Sequence, residues 1–179
     1  YINDNIDNNA NIILDYSVYA YNKNTIDFYN DNFNIKRLTY PLELNLSEIR
    51  QLDNPGNEMI AYGKIPMMVS AQCLKKTTKG CDHKKEVLVL KDRKNSEMQV
   101  KTHCDFCYNT ILNSKPLSVL GMEKEVKKIS PGILRLWFTT ENAGETKNVL
   151  RKYIDDFCNN ISVLNIDDFT RGHLKRGIE

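Results

Sequence analysis

Four of the chain's five cysteines, Cys73, Cys81, Cys104 and Cys107, frame the stretches EVLVLKD and SEMQVKTH, and no other feature constrains the fold as much. SEMQVKTH alternates apolar and polar residues, the period of a strand with one buried face, and EVLVLKD carries the short apolar run of a strand. The RKN between them, with Asn95 at the turn, predicts an antiparallel hairpin. Paired strands lie only ~5 Å apart, so residues entering the first strand sit beside those leaving the second. Cys81 and His83 are thereby expected next to His103 and Cys104. Cys104 and Cys107 form a C-x-x-C, a spacing at which a tight turn aims two sulfurs at one ion. Cys73 joins them if LKKTTKG folds back, for which Gly80 supplies the backbone freedom.

Four thiolates in such a group serve two chemistries. Zinc takes four tetrahedral sulfurs as a structural staple, and an iron–sulfur cluster takes the same ligands for redox or substrate activation. A redox or catalytic dithiol, or cysteines that are merely buried apolar groups, are the remaining readings. The uneven spacing does not resemble the disulfide framework of a small secreted domain, which points to a reducing compartment and to metal rather than disulfides. His83 and His103 are weaker candidates, as substitute ligands or as groups that orient one. A Cys81–His83 nucleophile and base pair lacks a third group to orient the base. Cys158 falls beside the apolar stripe of a predicted helix and is expected in the core.

Ahead of the cysteines the pattern is strand, helix, strand, helix, strand. NIILDYSVYAYN and IKRLTYPLELN read as strands, NTIDFYNDNF as a helix with Ile26, Phe28, Tyr29 and Phe33 on its apolar face, and NEMIAYGKIPMMVS as one further strand. LSEIRQL is a short helix capped by Asn45, with Glu48 three residues on. That alternation is the signature of parallel βα units. Three strands are few for a sheet of this kind, so residues 1–72 read as the end of a larger α/β protein. Residues 73–179 form a small α+β portion: the hairpin, a loop at SKPLSVLGM, a short polar helix at MEKEVKKIS, a strand at GILRLWFTTE and the helix ETKNVLRKYIDDFCN. Val149, Leu150, Tyr153, Ile154 and Phe157 make the expected buried face of that last helix. The basic FTRGHLKRGIE is expected to be a flexible tail, with RNA phosphate as a further partner for its charges.

Ligand sites in α/β sheets gather at the carboxyl ends of strands, which makes Asp15 and Glu43 candidates for a substrate or metal contact. Arg135, on an otherwise apolar strand, needs a carboxylate partner if buried or else an anionic ligand. Composition narrows the partners. With 179 residues the chain is long enough for a real core, and its formal charge of +2 argues neither for nucleic acid nor for a membrane surface. No apolar run approaches the roughly 20 residues of a membrane span, so a cytoplasmic protein is expected.

LTYPLELNLSEIRQL, YGKIPMMVSAQC, LKDRKN, CYNTILNSKPLSVL, ILRLWFTTE and FTRGHLKRG follow one another in that order between residues 38 and 177. Together they resemble successive blocks of the collagenase-like peptidase family, the thirty-second among peptidases of unknown catalytic type. The resemblance implies a C-terminal portion of a longer protein, its βα units being the last of an incomplete TIM-like barrel. The missing N-terminal barrel half then becomes the first partner, and Tyr1 a boundary within a longer chain. The family name implies a peptidase, although these residues display no nucleophile, base and oxyanion set. Other members carry a four-iron four-sulfur cluster and act in hydroxylation of transfer RNA, ribosomal RNA or quinone precursors, with RNA or a related family subunit as partners. By that resemblance Cys73, Cys81, Cys104 and Cys107 are the cluster ligands, with the second and third further apart and the last pair tighter than in those members. The expected function is therefore an iron–sulfur protein acting on RNA or a small aromatic substrate. A peptidase and a zinc-stapled binding module are the alternatives, and this portion by itself is expected to be inactive.

Overall fold

Ile12–Leu14 (β1) and Ile35–Leu38 (β2) pair in parallel. Between them Asp15 ends β1, a single 3₁₀ turn spans Tyr16–Val18, and Lys23–Asn32 (α1) makes the crossover. These elements belong to a computed structural model that describes residues 10–161, 163 and 167–176. Asn22 starts α1 by accepting the Thr25 N–H at 2.9 Å. The predicted cap at Asn45 is present as a full capping box on Leu46–Gln51 (α2), the Glu48 carboxylate returning a bond to the Asn45 N–H at 2.7 Å.

Glu58–Gly63 (β3) is buried along its whole length, as a central strand of a parallel sheet must be. One of its edges carries Ile133–Trp137 (β9) in parallel. Thr39, just past β2, bridges Glu58 in parallel from the other edge, and Leu117–Ser118 (β8) continues that edge in the antiparallel sense. The parallel run is thus β1, β2, β3, β9, strongly staggered, because the end of β2 is level with the beginning of β3. Among the described residues the sheets do not close into a barrel.

The chain leaves this layer at Gly63. A side chain there would have its Cβ 2.6 Å from the Trp137 carbonyl oxygen, so only glycine lets β9 come so close. The stretch expected as one strand is therefore two, and Pro66–Ser70 (β4) belongs to a second sheet. That sheet is antiparallel in the order β4, β7, β6, β5, with Val87–Lys91 (β5), Glu97–His103 (β6) and Tyr108–Leu112 (β7). The predicted hairpin is β5–β6, with Asn95 at φ 62° in its turn. A mixed α/β architecture results, as expected. No helix among the described residues is long and apolar enough to cross a membrane.

Several expectations are corrected. SKPLSVLGM is not a loop: Leu117, Val119 and Leu120 are fully buried around β8, a pairing too short to leave a period in the sequence. Glu123–Ile129 (α4) buries Val126 and Ile129 against the core and so is amphipathic. Along Ala143–Tyr153 (α5) Val149 and Tyr153 are buried as expected, but Leu150 is 45% exposed and Ile154 42%. The helix gives way to a π-helical turn at Ile154–Cys158, whose extra residue per turn rotates the stripe and leaves Cys158 exposed rather than in the core. On α1 only Ile26 is buried, and Phe28 faces outward. The start of the basic tail is held: Thr170 bridges Leu117, Leu174 is buried, and Arg171 donates to the carbonyls of Ser118 at 2.6 Å and Leu120 at 2.8 Å. Residues 177–179 of that tail lie outside the described residues.

Candidate metal centre

All four cysteines of the group stand at one end of the antiparallel sheet. β4 ends at Ser70, and Cys73 follows it at the N-cap of Leu74–Thr78 (α3). Cys81 lies on the segment that runs from α3 to the start of β5. Cys104 and Cys107 lie in the turn from β6 to β7, beyond the closing pair His103–Tyr108. In a sheet ordered β4, β7, β6, β5 with antiparallel neighbours, those four strand ends coincide. The C-x-x-C is thus itself a hairpin turn, with Cys107 at φ 55°. That second hairpin went unread because Tyr108–Leu112 alternates only weakly.

The cysteines are free, Cys73 and Cys104 half-buried and Cys81 and Cys107 exposed. Two of the thiols turn to nearby oxygens: Cys104 Sγ donates to Lys84 O at 3.2 Å and lies 3.8 Å from Thr102 Oγ1, and Cys107 Sγ donates to Cys104 O at 3.8 Å. Among the described residues no three His, Cys, Asp or Glu side chains are gathered as a metal would gather them. The donor set nonetheless suits a thiophilic centre, since soft thiolates select zinc or iron–sulfur and all four arrive on backbone that shares one sheet end.

Three polar side chains organise this end. Asn109, fully buried on β7, donates from Nδ2 to Gln72 O at 2.7 Å, while its Oδ1 is buried without a partner. An orphaned buried acceptor costs about 1–3 kcal/mol. Thr102, buried on β6, accepts the Glu86 N–H at 2.9 Å and donates to Glu86 O at 3.0 Å. Lys75 of α3 is only 4% exposed; its ammonium meets the Asp82 carboxylate, Glu86 Oε1 at 3.5 Å and Lys84 O at 3.0 Å. Hydrogen bonding to Asp82 raises the Lys75 pKa, and the same bond lowers that of Asp82. None of the three was singled out from the sequence. The one available signal was their spacing of two or five residues from a cysteine.

The histidines do not join the thiols. His103 Nε2 is bonded to Thr110 Oγ1 at 3.1 Å, and its ring stacks on Tyr108 at 4.2 Å. His83 is an exposed loop residue at φ 58°.

The other candidates lie on the parallel sheet. Arg135 finds carboxylate partners: Nε meets Glu58 Oε1 at 2.6 Å, and Nη2 meets Asp15 Oδ1 at 2.7 Å and Thr39 Oγ1 at 3.1 Å. The stagger of the sheet brings the carboxyl end of β1 level with the first residue of β3, so Asp15 and Glu58 share one cation. Glu43 is half-buried, with Oε2 sequestered and unpartnered. Burial, and then the Glu43 charge and hydrogen bond, raise the pKa of Tyr21.

A cleft of about 430 Å³ opens at the carboxyl ends of β3 and β9, against β6 of the other sheet. Across it Lys64 Nζ donates to Gln99 Oε1 at 2.7 Å and Tyr62 OH to Glu141 Oε1 at 3.0 Å. Burial would raise the Glu141 pKa, but the N–H groups of Thr139 and Thr140 and the Tyr62 hydroxyl outweigh it and hold the carboxyl below its usual range. Glu141 lies four positions beyond the end of β9, on the carboxyl side of a parallel strand, which is the signal that could have singled it out. No family model, curated protein or solved structure matches this chain.

Proposed function

We propose that this chain is the C-terminal α/β portion of a cytoplasmic, cysteine-ligated iron–sulfur protein. Its ligands are Cys73, Cys81, Cys104 and Cys107, and its work is hydroxylation of RNA or of a small aromatic substrate. The observation that carries the ligand set is the meeting of four strand ends at one end of the antiparallel sheet, with a cysteine beyond each. A cluster bound there supplies one-electron redox chemistry. The chain's own residues do the rest: Asn109, Thr102 and Lys75 fix the segments that bear the cysteines, and the Tyr62–Lys64–Glu141 cleft offers a polar pocket at the carboxyl end of the parallel strands.

The staggered parallel run with β1 at its edge supports the further reading that these are the last βα units of a TIM-like barrel, completed by an N-terminal half of the same protein. The resemblance to the collagenase-like peptidase family supplies the substrate class, with RNA or a related subunit as partner.

One observation favours a second reading. Cys104 and Cys107 share a tight β-turn, the spacing at which two sulfurs are aimed at a single ion, and this suits a zinc staple. Metal analysis and the visible spectrum of anaerobically purified chain, beside Cys104→Ser, decide between them. Iron, inorganic sulfide and a broad absorption near ~400 nm, all lost in the variant, support the cluster. Stoichiometric zinc without iron moves the function to a non-catalytic module, and no metal after reconstitution overturns both.

A further inference from the structure

Thr102 and Asn109 stand directly opposite each other on β6 and β7. Directly paired residues share a face, and theirs is the buried one, at 2% and 0% exposure. The next pair along that face, Val100 and Ile111, is apolar and buried. The inner face of the sheet therefore changes from apolar to polar at the end that bears the cysteines.

Each of the two polar side chains reaches away from its own strand, in opposite directions. Asn109 Nδ2 holds Gln72 O at 2.7 Å, next to Cys73. Thr102 Oγ1 holds both backbone groups of Glu86, at 2.9 Å and 3.0 Å, on the segment that carries Cys81 into β5. The Thr102 N–H adds a third bond to Glu86 O at 3.1 Å. An apolar residue at 109 would fill the sheet without leaving an orphaned Oδ1, so packing alone does not account for the amide.

We propose that the Thr102–Asn109 pair is a clamp that positions the two outer cysteine arms over the Cys104–Cys107 turn: Asn109 sets Cys73, and Thr102 sets Cys81. The inference rests on the four-thiolate reading above and assigns the two residues as positioning residues rather than ligands.

The test is cysteine-by-cysteine alkylation by iodoacetamide, read by peptide mass, in the chain reconstituted with iron and sulfide and in parallel with cobalt(II). Asn109→Leu is expected to expose Cys73 selectively; Thr102→Val is expected to expose Cys81, and Cys104 to a lesser degree because its thiol also donates to Thr102 Oγ1 at 3.8 Å, while Cys73 and Cys107 stay protected. Metal affinity falls roughly 10–100-fold in each, as for other groups that orient metal ligands, and the thiolate-to-cobalt absorption weakens. Thr102→Ser keeps the hydroxyl and is expected to retain the wild-type pattern. Protection of all four cysteines at wild-type affinity in both variants overturns the clamp. So does a uniform loss of protection at all four, which would mark a general loss of structure. Wild-type chain whose cysteines react equally with and without either metal overturns the four-thiolate reading itself and the clamp with it, an outcome distinct from failure of the clamp alone.

Discussion

Arg135 on β9 and Glu58 on β3 meet across adjacent parallel strands, Nε to Oε1 at 2.6 Å, and Glu58 is 8% exposed. Removing one member of such a pair leaves a desolvated charge without its partner. Arg135→Met is expected to destabilise the chain by about 2–4 kcal/mol, toward the lower end because the Arg135 side chain keeps 27% exposure. The double variant Arg135→Met/Glu58→Gln is expected to recover more than half of that loss. Asp15, 48% exposed in its pair with Arg135, is a weaker contributor, and Asp15→Asn should cost under ~1 kcal/mol. Urea midpoints of the wild type, Arg135→Met, Glu58→Gln, the double variant and Asp15→Asn measure this, and strictly additive losses of the two single variants in the double would rule out the coupling.

Tyr153 carries a different kind of junction. Its hydroxyl donates to Ala61 O at 2.6 Å and accepts the Val119 N–H at 3.1 Å, tying α5 to β3 and to the segment after β8. Burial pushes its pKa up to about 12, as it does that of Tyr40. A proton held more tightly in the folded than in the unfolded state stabilises the fold fully below the unfolded value of about 10, and that contribution is lost as pH rises from about 10 to about 12. Tyr153→Phe is expected to lower stability at neutral pH by about 1–3 kcal/mol and to flatten part of the alkaline decline. Urea midpoints across that pH range test it: a wild-type chain with unchanged stability up to pH about 12 would contradict the sign.

What the sequence disclosed follows from the range of the interactions. The β5–β6 hairpin and the Asn45 cap are written in residues a few positions apart, and both are present. The strand expected to run through Gly63 divides there because of a contact with Trp137, far along the chain, which no local pattern records. Likewise Arg171 was read as part of a loose basic tail, yet the carbonyls it binds belong to a segment more than fifty positions earlier. Of the site, the cysteines were visible as residue types. Their shared sheet end needed β4 and β7, and the Asn109, Thr102 and Lys75 contacts are tertiary throughout.

The two capping boxes should contribute unequally to the fold. Asn45 and Asn142 each accept two N–H groups and each receive a glutamate bond in return. Loss of such a cap costs about 0.5–2 kcal/mol. Asn142 begins α5, the longer helix and the one that presents Val149 and Tyr153 to the core, so fraying there exposes more apolar surface. Asn142→Ala is expected near the top of that range and Asn45→Ala near the bottom, by thermal or urea unfolding; the reverse order would mean that α2 is the better anchored in the core.

Removal of the proposed metal should act locally. The main hydrophobic core gathers on β3 and includes no residue of β5, β6 or β7, whereas the four cysteines all stand on the antiparallel sheet. Metal binding adds to folding free energy only where the ligands' segments are ordered by it. Chelation is therefore expected to raise amide exchange in residues 72–86 and 103–109 and to leave β3 and β9 at their former protection, since stability is distributed by cooperative unit. Lys75→Met is expected to mimic part of this change in 79–86 even with metal present, because Asp82, Glu86 and Lys84 O lose their shared cation. Hydrogen exchange with mass readout distinguishes the outcomes. Loss of protection in β3 would show that the two sheets unfold as one. An unaltered cysteine end would show that its order is set by the Thr102, Asn109 and Lys75 contacts without any contribution from metal.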